Sequence, residues 1–322
     1  MSGRRLSRRE VLWGLSALPV GLLIASCGDD LEAEGGATEP EVSEVSTAVA
    51  DAAPAPPPTP TPLPPVIVAA GEQRRVLMAG TAQETPLYIY GTGQAGPIVM
   101  VLGGVHGNEP GGWLAAERVV ERVRPASGAL LVAPRLNKLA VNLFERTTES
   151  LGDLNRLYPG KPDSPLPMER MAFEIVETLR EFRASVVVDM HESWAFYRDR
   201  PQNGTAYLGQ TVATAPQEPA ITLGRTVVDQ VNQRVLAPRE EFSFREFPPG
   251  RLPEPNSALP FDTSGNPSAA VSGGSRSSLG LPNHLPGLIS LLVEMGQQQA
   301  LERRVALHVD VLQQVMRNIG IA

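Results

Sequence analysis

Cysteine is almost absent from this chain. Cys27 is the only one, so no intramolecular disulfide can staple the fold. A basic excess is also missing, since the net charge is −7. No apolar run reaches the roughly 20 residues that a membrane-spanning helix needs. The charge is unevenly placed. Residues 1–26 carry Arg4, Arg5, Arg8 and Arg9 against Glu10, a net of +3. Residues 28–65 hold eight acids and no base, which leaves −2 for residues 66–322. A nearly neutral domain lacks the footprint of a nucleic-acid binder, so no nucleic-acid partner is expected. What is present is a hydrophobic fraction of 42%, enough for a packed core.

The first 27 residues read as an address. A basic stretch ends in Ser7-Arg8-Arg9-Glu10-Val11-Leu12, an apolar run extends to about Ala25, and the small pair Ala25-Ser26 precedes Cys27. The Arg pair with an apolar residue two positions on resembles a twin-arginine export signal. Ile24-Ala25-Ser26-Cys27 resembles a bacterial lipobox, which implies cleavage before Cys27 and lipidation of its sulfur. An uncleaved anchor helix is the alternative. Either form places the domain outside the cytoplasm, tethered to the outer face of the bacterial cytoplasmic membrane or cell envelope. Residues 28–65 are acidic, then Pro-rich through Pro56-Pro57-Pro58-Thr59-Pro60. Such a segment buries no core and is expected to be a disordered, semi-rigid linker. Residues 66–322 are then one folded domain.

That domain alternates strand and helix patterns. Short β-type runs are expected at 66–69, 75–78 and 86–90, and buried strands at 97–102, 129–133, 186–188 and 288–293. Helices are expected at about 109–123, 168–182, 221–235 and 300–316. Buried Val/Ile/Leu runs between helices point to an α/β domain with a largely parallel or mixed central sheet flanked by helices. Sites in such sheets form beyond the carboxyl ends of strands.

Four polar islands occupy those ends. In Gly103-Gly104-Val105-His106-Gly107-Asn108-Glu109, glycines allow a tight turn and His106 and Glu109 reach one point. Imidazole plus carboxylate is a normal zinc pair, although His-x-x-Glu alone also fits a surface or capping pair. Val188-Asp189-Met190-His191 ends a buried strand. His191 is either a core histidine or a metal ligand backed by Asp189. Asp153-Leu154-Asn155-Arg156, with Arg146 upstream, offers an amide and a guanidinium fork suited to a carboxylate, against a plain solvated loop. Val293-Glu294-Met295-Gly296 puts a carboxylate at a buried strand end, where it is either exposed or a general base near a metal-bound water.

Taken together and in this order, the islands resemble the zinc carboxypeptidase superfamily, and most of all its succinylglutamate desuccinylase/aspartoacylase-like branch. The resemblance covers roughly residues 75–318. It implies one zinc per chain on His106, Glu109 and His191, with Glu294 as general base. It further implies that Asn155 and Arg156 hold a substrate carboxylate and that Arg146 polarises the scissile carbonyl. The chain departs from these relatives in two ways. Only a helix's worth of sequence follows Glu294, where aspartoacylase-like enzymes carry a further β-rich domain. The long segment from about Phe242 to Pro286 contains no tyrosine; it is a candidate lid, with Arg276 a candidate second anion contact. Trp194, Phe196 and Tyr197 are candidate pocket-lining residues, and His284 and His308 read as structural.

The implied chemistry is hydrolysis of an amide, a C-terminal peptide bond or an N-acyl amino acid. A tether outside the cytoplasm favours peptides. Two rivals share the same signal and linker. One is a non-catalytic ligand- or metal-binding envelope lipoprotein, against which Glu294 argues, since binding needs no base. The other is a structural envelope protein with a degenerate enzyme fold.

Overall fold

The structure is a computed structural model and describes residues 64–199, 207–247 and 276–322. The signal-like segment with Cys27, nearly all of the linker and Ser272-Gly273-Gly274-Ser275 lie outside the described residues.

The described chain runs β1 (Gly71–Leu77), β2 (Thr85–Gly91), β3 (Ile98–Leu102), α1 (Pro110–Arg122), β4 (Ala129–Ala133), α2 (Lys138–Leu143) and α3 (Pro167–Glu181). It continues through β5 (Val186–Ser193), β6 (Thr211–Thr214), α4 (Ala220–Asn232), β7 (Ser243–Glu246), β8 (Ile289–Gly296) and α5 (Leu301–Asn318). One mixed sheet of eight strands results, in the order β1-β2-β4-β3-β5-β8-β6-β7. Its centre, β4-β3-β5-β8, is parallel; β2 and β6 join that centre antiparallel.

Both faces of the sheet are covered, which explains why the central strands read as unbroken apolar runs. Successive residues of β3 go to opposite cores. Ile98, Met100 and Leu102 pack with Met168, Met171, Ile175 and Leu179 of α3. Val99 and Val101 pack with Ala115 and Val119 of α1, Val227 and Val231 of α4, and Val311 and Val315 of α5. The same alternation sorts β5: Val187 faces α3, while Val186, Val188 and Met190 face α1 and α5. Residues 189 and 191 therefore share the α3 face, and 192 projects to the other.

Helix ends follow their sequence cues. Pro110 and Pro167 start α1 and α3, where the missing N–H costs nothing. The Asn137 side chain caps α2 by accepting from Ala140 N. Residues 66–69, expected to be a strand, form none. Strands β6 and β7 and helix α2 carry no readable pattern. Thr211–Thr214 is four residues long, and Ser243–Glu246 is a largely polar edge. Among the described residues no helix is long and apolar enough to cross a membrane.

Candidate metal centre

The loop from β3 to α1 brings the first two candidate ligands together. Gly104 turns with φ +66, a conformation open to glycine at little cost, and its Cα faces the backbone of Arg135. His106 and Glu109 follow, both buried. Glu109 immediately precedes α1, yet its side chain does not cap that helix. It turns instead toward two imidazoles. His106 Nδ1 lies 2.7 Å from Glu109 Oε1, and His191 Nδ1 lies 2.9 Å from Oε2. The two Nδ1 atoms are 3.1 Å apart. Among the described residues these three form the group of potential metal ligands, with ligand atoms all within 4.8 Å of one another.

The remaining ring nitrogens are backed by carboxylates. His106 Nε2 is 3.1 Å from Asp153 Oδ1. His191 Nε2 is 2.9 Å from Asp189 Oδ2, an ion-pair approach that is off the hydrogen-bonding direction. A ring whose Nε2 proton faces a carboxylate presents its Nδ1 lone pair to the centre, the form that ligates a metal. Burial opposes protonation of His191, but Asp189 and Glu109 lift its pKa well above the ordinary imidazole value. Burial likewise opposes ionisation of Glu109, and the His106 and His191 rings outweigh it, holding that carboxyl far below its usual range. Two imidazoles and one carboxylate, converging in a pocket that attracts positive charge, fit a catalytic zinc set with a position left for water.

Glu294 sits within β8 directly opposite His191 of β5 in the parallel register, so these two residues lie inside their strands, whereas His106 and Glu109 lie in the loop beyond β3. On its other side it pairs with Thr211. The Ser193 hydroxyl donates to Glu294 Oε2 at 2.9 Å. Burial raises the Glu294 pKa to about 7, with His191 pulling the other way. A carboxyl so poised can exchange a proton near neutral pH.

These residues line a cavity of about 530 Å³ that also includes Arg146, Asn155, Arg156 and Trp194. Arg146 is held by Asp153, with Nη2 2.9 Å from Oδ2, and its Nη1 is 3.6 Å from Glu109 Oε1. Asn155 Oδ1 accepts from Ser278 N at 3.0 Å. Arg156 Nη1 donates to Asn155 O. Arg276 is used elsewhere: its guanidinium meets Glu169 Oε1 of α3 and the Tyr158 carbonyl, so the expected second anion contact is a packing ion pair in this structure. Trp194, 64% exposed, stands at the rim. Phe196 does not line the cavity; it is buried against Gly296 and beneath Arg239. Tyr197 stacks under Arg245. His308 is fully buried on α5, where burial pushes its pKa down to about 3. The role of Asp153 behind His106 was missed by the sequence reading; the two residues are 47 apart, and no local spacing signals the pairing.

Residues 95–195 match the family model described as the succinylglutamate desuccinylase/aspartoacylase catalytic domain. Over 99 residues the chain is 32% identical to an N-alpha-acetyl-L-2,4-diaminobutyric acid deacetylase of Halomonas elongata; the match spans 30% of this chain and 28% of that protein's length. The cell shape determinant protein Csd4 of Helicobacter pylori superposes with a TM-score of 0.57 at 18% identity, covering 70% of this chain and 51% of Csd4. A succinylglutamate desuccinylase/aspartoacylase from Rhodobacter sphaeroides superposes with a TM-score of 0.52 at 18% identity, covering 79% and 67%. The matched chains are thus longer than what this chain spans of them. Residues 95–195 are thus similar to the succinylglutamate desuccinylase/aspartoacylase catalytic domain, and the chain shares its fold with these solved structures.

Proposed function

We propose that residues 66–322 form a zinc-dependent amide hydrolase for carboxylate-bearing substrates, acting on a C-terminal peptide bond or an N-acyl amino acid outside the cytoplasm. The observation that carries this reading is Glu294: a buried carboxyl, poised near neutral pH, set beside a converging His-Glu-His group. A pure binding site has no use for such a base.

His106, Glu109 and His191 would hold the metal. When bound, zinc supplies Lewis acidity, lowering the pKa of water toward about 7 and polarising a carbonyl. Glu294 accepts the proton of the attacking water and delivers it to the leaving amine. Ser193, donating to Oε2, holds the carboxyl in place. Arg146, at the mouth of the ligand group, offers its guanidinium to the developing oxyanion. Asn155 and Arg156 hold the substrate carboxylate and so set the scissile bond in register.

The walls refine the substrate. Leu279 and Leu292 pack together with Phe247 against them, and all three line the cavity. The Asn155–Ser278 hydrogen bond brings the carboxylate-holding pair next to Leu279. An apolar group next to the carboxylate suits this neighbourhood. The peptide branch draws support from Csd4, described as a D,L-carboxypeptidase, and the acyl branch from the Halomonas deacetylase. Cys27 as a lipidated N-terminus, with residues 28–65 as spacer, would confine the reaction to the cell envelope. Mass spectrometry of the mature protein from its native membrane checks that anchor. A soluble product beginning elsewhere would overturn it.

Metal analysis of the purified protein, joined to a mass-spectrometric screen of peptides and N-acyl amino acids, tests the function. Zinc at about one equivalent with cleavage of a carboxylate-bearing amide is the expected result. Zinc without turnover of any such amide would make the chain a binding protein.

A further inference from the structure

A second buried polar cluster lies on the opposite face of β5. Glu192 follows His191 and borders the same cavity, but its fully buried side chain lies against α5. Arg304 of α5 clamps it, Nη1 lying 2.8 Å from Oε1 and 2.7 Å from Oε2. Removing two charges from water is costly and is repaid only by good geometry and further hydrogen bonds. Those further bonds lead to the metal centre. The start of α1 has no side-chain cap of its own, because Glu109 is turned toward the histidines; Pro110 carries no N–H and Gly112 N donates to the Glu109 carbonyl, which leaves the Gly111 N–H to be satisfied. The Glu192 carboxylate takes that place, lying against the Gly111 backbone, which favours its charged form. The fit is close: a Cβ on Gly111 would fall 1.9 Å from Glu192 Oε1. The backbone N–H of Glu192 also donates to Glu109 Oε2 at 3.0 Å. Gln297 completes the clamp, donating to the carbonyl of Asn108 at 2.8 Å.

We propose that the Glu192–Arg304 pair is a positioning device for the metal centre: Glu192 caps α1 in place of Glu109, and so frees and fixes Glu109 as a ligand. The device rests on the zinc reading above. An unpaired α1 N-terminus would compete for the Glu109 carboxylate, since N-terminal amides bind the nearest anion. With Glu192 on those amides, Glu109 is left to the two imidazoles. Arg304 keeps Glu192 aimed at α1. A bidentate guanidinium fork does this better than an ammonium.

The test uses the full-length chain in detergent, with zinc as the probe. Zinc dissociation constants are measured by chelator competition, and thermal midpoints on the metal-free protein, for wild type, Glu192→Gln, Gly111→Ala and Arg304→Lys. Partners of metal ligands typically govern affinity by about 10- to 100-fold. Glu192→Gln and Gly111→Ala are expected to raise the zinc Kd within that range. Arg304→Lys, which keeps the charge but loses the bidentate fork, should raise the Kd less than Glu192→Gln does. A merely structural pair would lower the metal-free midpoint and leave the Kd of the folded protein alone. Should Glu192→Gln fail to fold, Gly111→Ala decides, since it displaces the carboxylate without removing it. A Kd within about twofold of wild type in the folded variants overturns the positioning role. Absence of zinc binding by the wild type would instead overturn the zinc reading and this device with it.

Discussion

The two flanks of the cavity are built on opposite principles. The flank after β3 is dense with charge that is already paired: Asp153 carries His106 and Arg146 together, and Arg146 also approaches Glu109. The flank formed by β8 and β6 is apolar, with Leu292, Leu279 and Phe247 around a carboxyl whose hydrogen bond comes from a neutral serine. Pairing drives the Asp153 and Glu109 carboxyls far below their ordinary range against the effect of burial, whereas burial dominates at Glu294 and holds it at about 7. Carboxyls of one chemical type are thus held ionised on one side and poised near neutral pH on the other. Glu192 shows the same lesson. It neighbours His191 in sequence and is equally buried, yet the Arg304 guanidinium occupies both its oxygens, so it cannot replace Glu294 as base.

The comparison can be broken at several points. The largest effect is expected on the charged flank's metal face. His106→Ala and His191→Ala should each reduce bound zinc from about one equivalent to near none, as read by metal analysis of the purified variants. Asp153→Asn should keep the fold but weaken zinc about 10- to 100-fold in chelator competition, because it removes the charge behind His106. Arg156→Ala should lower kcat/KM, chiefly through KM. A charge-assisted hydrogen bond contributes about 1.5 to 3 kcal/mol, and steady-state kinetics on the substrate from the screen would show it. The smallest effect belongs to the apolar flank. Leu292→Ala should cost about tenfold in kcat/KM for a substrate with a large apolar group, and much less for its alanine counterpart. Equal loss for both substrates would remove the wall from the specificity account.

Much of this arrangement was legible in the sequence because strand ends are legible. The apolar runs at 97–102, 186–188 and 288–293 locate β3, β5 and β8, and His106, His191 and Glu294 follow them within a few residues. Their proximity follows from the parallel order of those strands. What was not legible is what depends on loops and on distant partners. Asp153 reaches His106 across 47 residues, and Arg304 reaches Glu192 across 112. Arg276 looked like an anion contact because a Gly/Ser-rich stretch surrounds it; its place is decided by Glu169 of α3, which no local pattern announces. Strands β6 and β7 were missed because short, polar-edged segments take their conformation from the sheet they join, here through Thr211 beside Glu294.

The central claim is that Glu294 moves protons and does not hold the metal. Measuring zinc content and hydrolysis rate side by side in Glu294→Gln and His106→Ala tests it directly. Gln keeps the shape of the side chain and cannot take the proton, so Glu294→Gln should retain about one equivalent of zinc while losing a factor of about 10² to 10⁴ in rate; His106→Ala should lose both. Near-wild-type turnover in Glu294→Gln, or loss of its zinc as complete as in His106→Ala, would contradict the account.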